Sequence, residues 1–204
     1  MRNFIIYLSD FRTSQDYAER AVRSAAKYGW AVELFPGING NLLGNHGLDD
    51  YNIKICEEDR KTREMMERPG VRGCFLSHYQ LWKMCAKGNE PIGIFEHDIE
   101  FIREAEEFVK FDDILRLEGF ELKKSRPAGQ WYEGARAYIL KPRGARKILS
   151  WIETNGALPA DVILGDKVLD ITCDTHSFVR QQNENKTKWE KHKDSFTWNL
   201  SEQQ

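Results

Sequence analysis

The stretch PIGIFEHDIEF, residues 91–101, decides how this sequence is interpreted, because an apolar run ends abruptly in acidic residues. The apolar half is short and rich in branched and aromatic side chains, which is typical of a buried strand. Glu96, Asp98 and Glu100 follow at alternate positions, and such residues share a face of an extended segment, roughly 6 to 7 Å apart. Carboxylates so placed repel one another unless a cation joins them.

On both sides of this stretch, short apolar segments alternate with amphipathic ones. Strands are predicted at residues 4–8, 31–35, 91–95, near 120–122 and at 135–140. Helices are predicted at residues 13–28, 57–67, 77–87, 108–115 and 142–153, followed by a short helix and a strand within 158–171. This alternation predicts an α/β sandwich with a mostly parallel sheet.

Local signals predict where some of these elements begin. Thr13 with Asp16 forms a capping pair for the first helix, and Ser77 is a candidate cap for a helix over 78–87. Residues 37–55, rich in Gly, Asn and Asp, predict a long loop, and residues 123–134 predict another. Long loops inside compact domains are usually functional.

Ligands of parallel α/β sheets bind beyond the carboxyl ends of the strands. We therefore expect Arg12, the loop 37–55 and the acids of 96–100 on one rim of the sheet. A guanidinium at this rim can grip a phosphate.

Composition limits the class of protein. The chain has 204 residues, of which 41% are hydrophobic, so one globular domain at 1–182 with a polar tail at 183–204 is expected. A formal net charge of -2 lacks the basic field of a general nucleic-acid binder, so no nucleic-acid partner is predicted. The four scattered cysteines show no spacing typical of a zinc site and predict free thiols.

The N-terminal apolar run has only five residues, too few for a signal core or a membrane span. We therefore expect a soluble, cytoplasmic protein. The basic segment KPRGARK, residues 141–147, has two interpretations: peripheral contact with an anionic membrane, or a solvated helix face.

The acids after the apolar run also have two interpretations. Oxygen-only ligands favour Mg²⁺ or Mn²⁺, which proteins commonly hold with one or two carboxylates plus the phosphates of a substrate. The alternative is the solvated mouth of a loop with His97 turned into the core. An apolar strand that ends in acids at a ligand-binding rim favours the cation.

Three blocks in order carry a family resemblance: VRGCFLSHYQLWKMC at 71–85, PIGIFEHDIEF, and ARAYILKPRGARKIL at 135–149. Together they resemble glycosyltransferase family 25, the group of lipooligosaccharide and procollagen galactosyltransferases, and the similarity extends with gaps from about residue 3 to 182. The resemblance implies a GT-A type, Rossmann-like fold. It also implies transfer of galactose or a related hexose from a UDP-sugar to a glycan or glycoconjugate acceptor, with inversion.

The resemblance also implies site residues. The acidic triplet corresponds to the Glu-Asp-Asp of the family, so Glu96 and Asp98 carry over as metal-site positions, with Asp98 the strongest candidate ligand for Mn²⁺ or Mg²⁺. His97 stands where the family has an acid, and a neutral imidazole can also bind Mn²⁺. Contact with the nucleotide sugar is predicted for Arg12, Asn39, Gly40, Asn41, Ser77, His78 and Glu96.

An inverting transfer needs a base for the proton of the acceptor hydroxyl. Asp161, in a segment that resembles the Pro-x-Asp of the family, is the first candidate, and Glu133 is the second. Two rival functions remain open: a glycosidase that uses two carboxylates without a cation, and a catalytically inactive module that binds sugar nucleotides or glycans.

Overall fold

The computed structural model describes residues 1–43, 47–105, 108–118, 122–132, 134–174 and 176–182. Its strands are β1 (Arg2–Tyr7), β2 (Glu33–Pro36), β3 (Ile92–Glu96), β4 (Ile99–Phe101), β5 (Ile114–Arg116), β6 (Leu122–Arg126), β7 (Gly129–Tyr132), β8 (Ala137–Leu140), β9 (Ile171–Cys173) and β10 (Val179–Gln181). Its α-helices are α1 (Arg12–Lys27), α2 (Arg60–Met66), α3 (Pro69–Lys87), α4 (Pro142–Asn155) and α5 (Ala160–Ile163).

Six strands form the central sheet in the order β2-β1-β3-β8-β5-β9. The pairings β1 with β2, β1 with β3, and β5 with β9 are parallel, whereas β8 is antiparallel to both of its neighbours. The smaller pairs β4–β10 and β6–β7 are antiparallel. This topology confirms the predicted α/β fold with a mostly parallel central sheet.

A hydrophobic core lies on each face of this sheet. On one face, Trp82 and Leu81 of α3 pack with Ile148 of α4 and Ile94 of β3. On the other face, the small alanines of α1 pack against Phe95 of β3 together with aromatic residues of the β4–β10 side. Strand β3 contributes alternate residues to both cores, which explains its unbroken apolar sequence.

Two predicted helix caps are wrong. Helix α1 begins at Arg12 with Phe11, which has no side-chain acceptor, at the cap position, so Thr13 already lies inside the helix. Helix α3 begins at Pro69, where the fixed φ of proline suits a first turn, so Ser77 lies in the middle of the helix.

The segments 108–115 and 123–134 also differ from prediction. Residues 108–113 are not helical, and Ile114 begins strand β5, because its buried neighbours β8 and β9 supply the pairing that the sequence does not show. The predicted loop contains most of the β6–β7 hairpin. The described residues of the predicted loop, 37–43 and 47–55, contain short 3-10 turns at Gly40–Leu42 and Asp49–Tyr51 and neither an α-helix nor a strand of the sheets.

Two expectations about the chain as a whole can be compared with the described residues. All four cysteines are free thiols, as predicted. Within the described ranges, no helix combines the length and the apolar character that a membrane crossing needs. The tail 183–204 lies outside the described residues.

Helix α3 and the loop after β2 meet at two glycines. A Cβ atom on Gly40 would lie 1.7 Å from the carbonyl oxygen of Pro69, and a Cβ on Gly73 would lie 2.5 Å from the amide nitrogen of Gly40. The hydroxyl of Ser77 accepts a hydrogen bond from the amide of Ile38 at 2.8 Å in the same contact. The glycines therefore let two backbones touch, which fixes α3 against the rim of the sheet.

This contact makes Gly73→Ala destabilising, although the same change in an open helix gains about 1 kcal/mol from helix propensity. The clash is with backbone atoms that cannot rotate away, and overpacking of this kind costs about 3 kcal/mol. We expect the free energy of unfolding in urea to fall by about 2 kcal/mol. Gly88→Ala is the control, because its Cβ would meet nothing closer than 3.5 Å. Equal stability of both variants would contradict the tight contact.

Candidate functional site

The carboxyl ends of β1, β2 and β3 meet at one edge of the sheet, as predicted for the rim. The loops after β1 and β2 are joined there, because the side-chain amide of Asn39 donates to Asp10 at 2.7 Å and the amide of Gly37 donates to the carbonyl of Tyr7 at 2.7 Å. Arg12 lies at the start of α1 with an exposed guanidinium that pairs with Asp16 at 2.9 Å. The nucleotide contact predicted for Arg12 stays a prediction.

Residues 39–41 lie at the start of a short 3-10 turn. None of the three residues has a positive φ. The side-chain oxygen of Asn39 instead caps a 3-10 turn by accepting from the amide of Asn41 at 3.0 Å. Gly40 is needed for its close approach to Pro69. Asn41 is exposed, and contact of this turn with a nucleotide stays a prediction.

The acidic segment after β3 is not one extended strand. Glu96 is the last residue of β3, and His97 and Asp98 form a turn into β4. The turn sends the three acids in different directions, and Glu100 pairs with Arg180 across the β4–β10 ladder at 2.8 Å. The expectation that Glu96, Asp98 and Glu100 share one face is therefore wrong.

Glu96 points towards helix α3. Its carboxylate oxygen Oε1 lies 3.6 Å from Nε2 of His78 and 3.8 Å from Sγ of Cys74. Burial works to raise the pKa of Glu96, but its interactions with His78 and with Arg136 outweigh burial, so the pKa lies below its usual value. Glu96 is thus held as a carboxylate against α3.

A buried hydrogen-bond network holds the ring of His78 through its Nδ1 atom. Nδ1 of His78 lies 2.8 Å from the hydroxyl of Tyr138, and Nε1 of Trp82 donates to that hydroxyl at 2.9 Å. All three side chains are buried, and Trp82 is part of the hydrophobic core. Burial, as the largest cause, raises the pKa of Tyr138 well above its usual value. The network fixes the imidazole of His78 with Nε2 towards Glu96.

Asp98 is held by the C-terminal strand β10. Its Oδ2 accepts from the side-chain amide of Gln181 at 2.8 Å, and its carbonyl accepts from the amide of Gln182 at 2.8 Å. Asp98 is only 6% exposed, and among the described residues its buried Oδ1 has no hydrogen-bond partner. Burial raises the pKa of Asp98, and the charge of Glu96 raises it further against the opposing charge of His97.

His97 is turned into the core on the α1 side. It is 3% exposed, and its ring lies 5.8 Å from the ring of Tyr17. This placement matches the alternative interpretation of the acidic segment, in which the histidine packs inward. Metal binding by His97 stays a prediction.

Asp161 lies at the start of α5, and its Oδ2 accepts from the amide of Gly134 at 3.3 Å. Burial raises the pKa of Asp161 to about 6; the Gly134 hydrogen bond lowers the pKa, the charge of Glu96 raises it and Arg116 lowers it. Burial raises the pKa of the Cys74 thiol well above its usual value, and the charges of Glu96 and Asp161 raise it further. Asp161 therefore shares the electrostatic environment of Glu96. Glu133, the second candidate base, lies outside the described residues.

Buried charged groups surround this region. Arg136 binds Glu118 at 3.0 Å, and a guanidinium nitrogen of Arg116 donates to the carbonyl of Gly134. Four carboxyl groups and two guanidinium groups interact here, namely Glu96, Asp98, Glu118, Asp161, Arg116 and Arg136. When all are ionised, the acids exceed the bases by two charges, so the region suits a divalent cation.

Ser77, predicted as a nucleotide contact, is buried, donates a hydrogen bond to the Gly73 carbonyl and accepts one from the Ile38 amide. The sequence analysis did not identify several other residues of this region. Cys74 and Tyr138 were not singled out, although Cys74 and His78 stand four residues apart and so share a helix face. Gln181 gave no signal, because its contact with Asp98 depends on the pairing of β10 with β4.

The fold is thus an α/β sandwich whose central strand ends in an acidic turn. The model of glycosyltransferase family 25, described as LPS biosynthesis protein, matches residues 1–129. Since this match covers more than half of the chain, the chain belongs to glycosyltransferase family 25. The resemblance noted in the sequence is confirmed.

Individual relatives agree with this assignment. A glycosyltransferase 25 family member from Aedes aegypti is 26% identical over 183 residues, which cover 76% of this chain and 29% of that protein. Procollagen galactosyltransferase 1-B from Xenopus laevis is 25% identical over 187 residues, which cover 78% of this chain and 30% of that protein. The chain thus spans less than a third of the length of these relatives.

One solved structure aligned with the chain is a galactosyltransferase crystallised with donor and acceptor sugar analogues. It covers 85% of this chain and 73% of its own, with 9% identity and a TM-score of 0.49.

The network below His78 predicts the effect of Tyr138→Phe. Removing the hydroxyl leaves His78 Nδ1 and Trp82 Nε1 buried without their shared partner, and an unsatisfied buried group costs about 1 to 3 kcal/mol. We expect a loss of about 2 kcal/mol in the free energy of unfolding, measured by chemical denaturation. Tyr79→Phe, which removes the hydroxyl of a partly buried tyrosine of the same helix, is the control and should change stability by less than about 0.5 kcal/mol. A stable Tyr138→Phe variant would show that the network is not formed.

Proposed function

We propose that this chain is a metal-dependent transferase that moves galactose or a related hexose from a UDP-sugar to a glycan or glycoconjugate acceptor, with inversion. Family membership supports the reaction type. The observation that carries the proposal is the buried Oδ1 of Asp98 at the carboxyl end of the central strand, which has no hydrogen-bond partner in the described part of the chain. Burying a carboxylate oxygen without a partner is unfavourable in free energy, and a bound cation compensates for this loss.

Asp98 is the residue of the triplet that fits the metal. Glu96 is directed to α3 and His97 to Tyr17, whereas Asp98 combines a fixed carboxylate with one oxygen that no described group binds. Mn²⁺ or Mg²⁺ suits such a hard oxygen and retains positions for the phosphates of a substrate. When bound, the ion would neutralise the charge that develops on the diphosphate leaving group.

Asp161 supports the second half of the reaction. The acceptor hydroxyl loses its proton as its oxygen attacks the anomeric carbon, and a nearby carboxylate can take that proton. With a pKa of about 6, Asp161 is mostly ionised at neutral pH yet is a stronger base than an ordinary aspartate. Glu133 stays the second candidate for this role.

The remaining expectations about partners stay part of the proposal. A nucleotide sugar and a glycan acceptor are the expected partners, without a nucleic acid, and the expected compartment is the cytoplasm. The basic segment 141–147 contributes to ion pairs within the domain, because Arg143 lies 2.6 Å from Asp113 and 3.0 Å from Asp170. Its charges therefore have a structural role, and membrane contact stays a prediction.

Titration calorimetry of UDP tests the metal site. We expect binding with Mn²⁺ present and no binding with EDTA. Substitution of residues around metal ligands already costs about 10- to 100-fold in metal affinity, so Asp98→Ala should weaken Mn²⁺-dependent binding by at least about 100-fold. Glu100→Ala is the matched control, because Glu100 belongs to the same acidic segment but pairs with Arg180.

The outcomes separate the candidate functions. Metal-independent UDP binding that is unchanged in Asp98→Ala would contradict the proposed site. UDP binding without any release of UDP from UDP-sugars, across a panel of acceptors, would favour the inactive binding module. Absence of nucleotide binding in a folded protein would overturn the transferase proposal for this chain.

Asp161→Asn tests the base. The amide cannot accept the proton, so kcat for sugar transfer should fall by about 10²- to 10⁴-fold while UDP affinity stays unchanged. In the unsubstituted protein, activity should fall as the pH drops through about 6, because protonated Asp161 is no base. Burial is the main cause of this pKa, and the amide of Gly134, Glu96 and Arg116 adjust it.

The pH profile needs a control and a counter-test. Asp112→Asn changes an exposed aspartate and should leave kcat unchanged. An Asp161→Asn variant with normal kcat, or with a loss of UDP affinity alone, would assign the base to another residue.

A further inference from the structure

We propose that Cys74, His78 and Glu96 form a second metal site, which lies on the α3 side of strand β3 and takes Zn²⁺. The inference goes beyond the proposed Mn²⁺ or Mg²⁺ site, which depends on Asp98. The two sites differ in ligand chemistry, because thiolate and imidazole select Zn²⁺ whereas oxygen-only sets select Mg²⁺ or Mn²⁺.

The distances fit one small ion. The ligand atoms Sγ of Cys74, Nε2 of His78 and a carboxylate oxygen of Glu96 all lie within 4.8 Å of one another. Two of the separations are 3.6 and 3.8 Å, both measured to Oε1 of Glu96. Tetrahedral Zn²⁺ with normal bond lengths places its ligand atoms about 3.4 to 3.7 Å apart. Small rotations of the side chains therefore suffice to bind the ion.

Helix geometry explains why the ligands converge. Cys74 and His78 are four residues apart in α3, so their side chains lie on the same face one turn apart. That face packs on the sheet where β3 ends, and the last residue of β3 is Glu96. Two secondary-structure elements thus supply three ligands, and a fourth position is left for water or a substrate oxygen.

The state of His78 is the independent observation that indicates a ligand. The residue is 1% exposed, and among the described residues its Nε2 atom has no hydrogen-bond partner. The contact with Glu96 at 3.6 Å is longer than a hydrogen bond. Buried ring nitrogens are normally satisfied, so the unfilled Nε2 is unusual.

Tyr138 completes the arrangement on the other side of the imidazole. A histidine that binds a metal through one nitrogen usually donates a hydrogen bond through the other, which fixes its tautomer. The Tyr138 hydroxyl, 2.8 Å from Nδ1, has two lone pairs and can accept from both His78 and Trp82. Nε2 then carries the free lone pair that faces Cys74 and Glu96.

The charge balance is simple. Cys74 enters as a thiol, and on binding its proton passes to the solvent while sulfur bonds to the metal. A thiolate and the Glu96 carboxylate together carry two negative charges, which match the charge of Zn²⁺. No oxidation or reduction is involved.

Co²⁺ is the probe, because it substitutes for Zn²⁺ and a thiolate ligand gives it an intense near-ultraviolet charge-transfer band. Reduced full-length protein, without nucleotide, is titrated with Co²⁺ and then with Zn²⁺. We expect one equivalent of Co²⁺ to produce the band and one equivalent of Zn²⁺ to remove it. Cys74→Ala and His78→Gln should abolish the band.

Matched variants locate the site. Cys85→Ala changes another buried thiol of α3 that bonds to the carbonyl of Leu140, so the band should persist. Asp98→Asn should also keep it, which separates this site from the one that binds Mn²⁺ and UDP. The unfolding temperature provides a second measurement that does not use the absorption band. Zn²⁺ should raise it in the unsubstituted protein and leave it unchanged in Cys74→Ser.

Two results would overturn the proposal. The first is a folded, reduced protein that gives neither a band nor a Zn²⁺-dependent rise in unfolding temperature, which would mean that the three side chains are close together without binding a metal. The second is a band that survives Cys74→Ala and disappears in Cys85→Ala or Cys173→Ala. Since no measurement uses UDP, failure here leaves the proposed transferase function untouched, and failure of UDP binding leaves the zinc site untouched.

Discussion

The burial of strand β3 on both faces is the constraint on which the rest of the molecule depends. Strand β3 is hydrogen-bonded to β1 on one side and to β8 on the other, and its side chains pack into both cores. Its position is therefore fixed by its neighbours. The acids that follow it are therefore delivered to a fixed place. Each has to find a partner there, because an isolated buried charge is strongly unfavourable. Glu96 meets His78, Asp98 meets Gln181, and Glu100 reaches Arg180 at the surface.

Helix α3 is the second fixed element. Its first turns touch the loop after β2 through Gly40 and Gly73, and its middle presents Cys74 and His78 to the end of β3. The same helix thus positions a rim loop and one wall of the site. This dual role explains why Gly73 and Cys74 are neighbours in the sequence. The helix face at Gly73 touches the backbone of Gly40, and the adjacent face at Cys74 lies next to His78 and Glu96.

The C-terminal part of the domain closes the acidic turn. Strand β10 pairs with β4, and its glutamines hold both the side chain and the carbonyl of Asp98. Residues more than eighty positions apart in sequence therefore define the carboxylate that we assign to the metal. Asp161 and the buried arginines approach from other elements, so the region is assembled from β3, α3, β5, β8, α5 and β10 together.

The sequence by itself determined the α/β class, the central strand with its acidic end, the long loop after β2, the helix that begins at Pro142, and the family. These follow from hydrophobic period, Gly and Pro positions and motif order, which are local properties. Only the tertiary structure decided that 114–116 is a strand, that Ser77 lies inside a helix, and that Glu96 and Asp98 part into different environments. Strand pairing and side-chain partners depend on contacts between segments that are distant in sequence. A local sequence pattern therefore does not predict them.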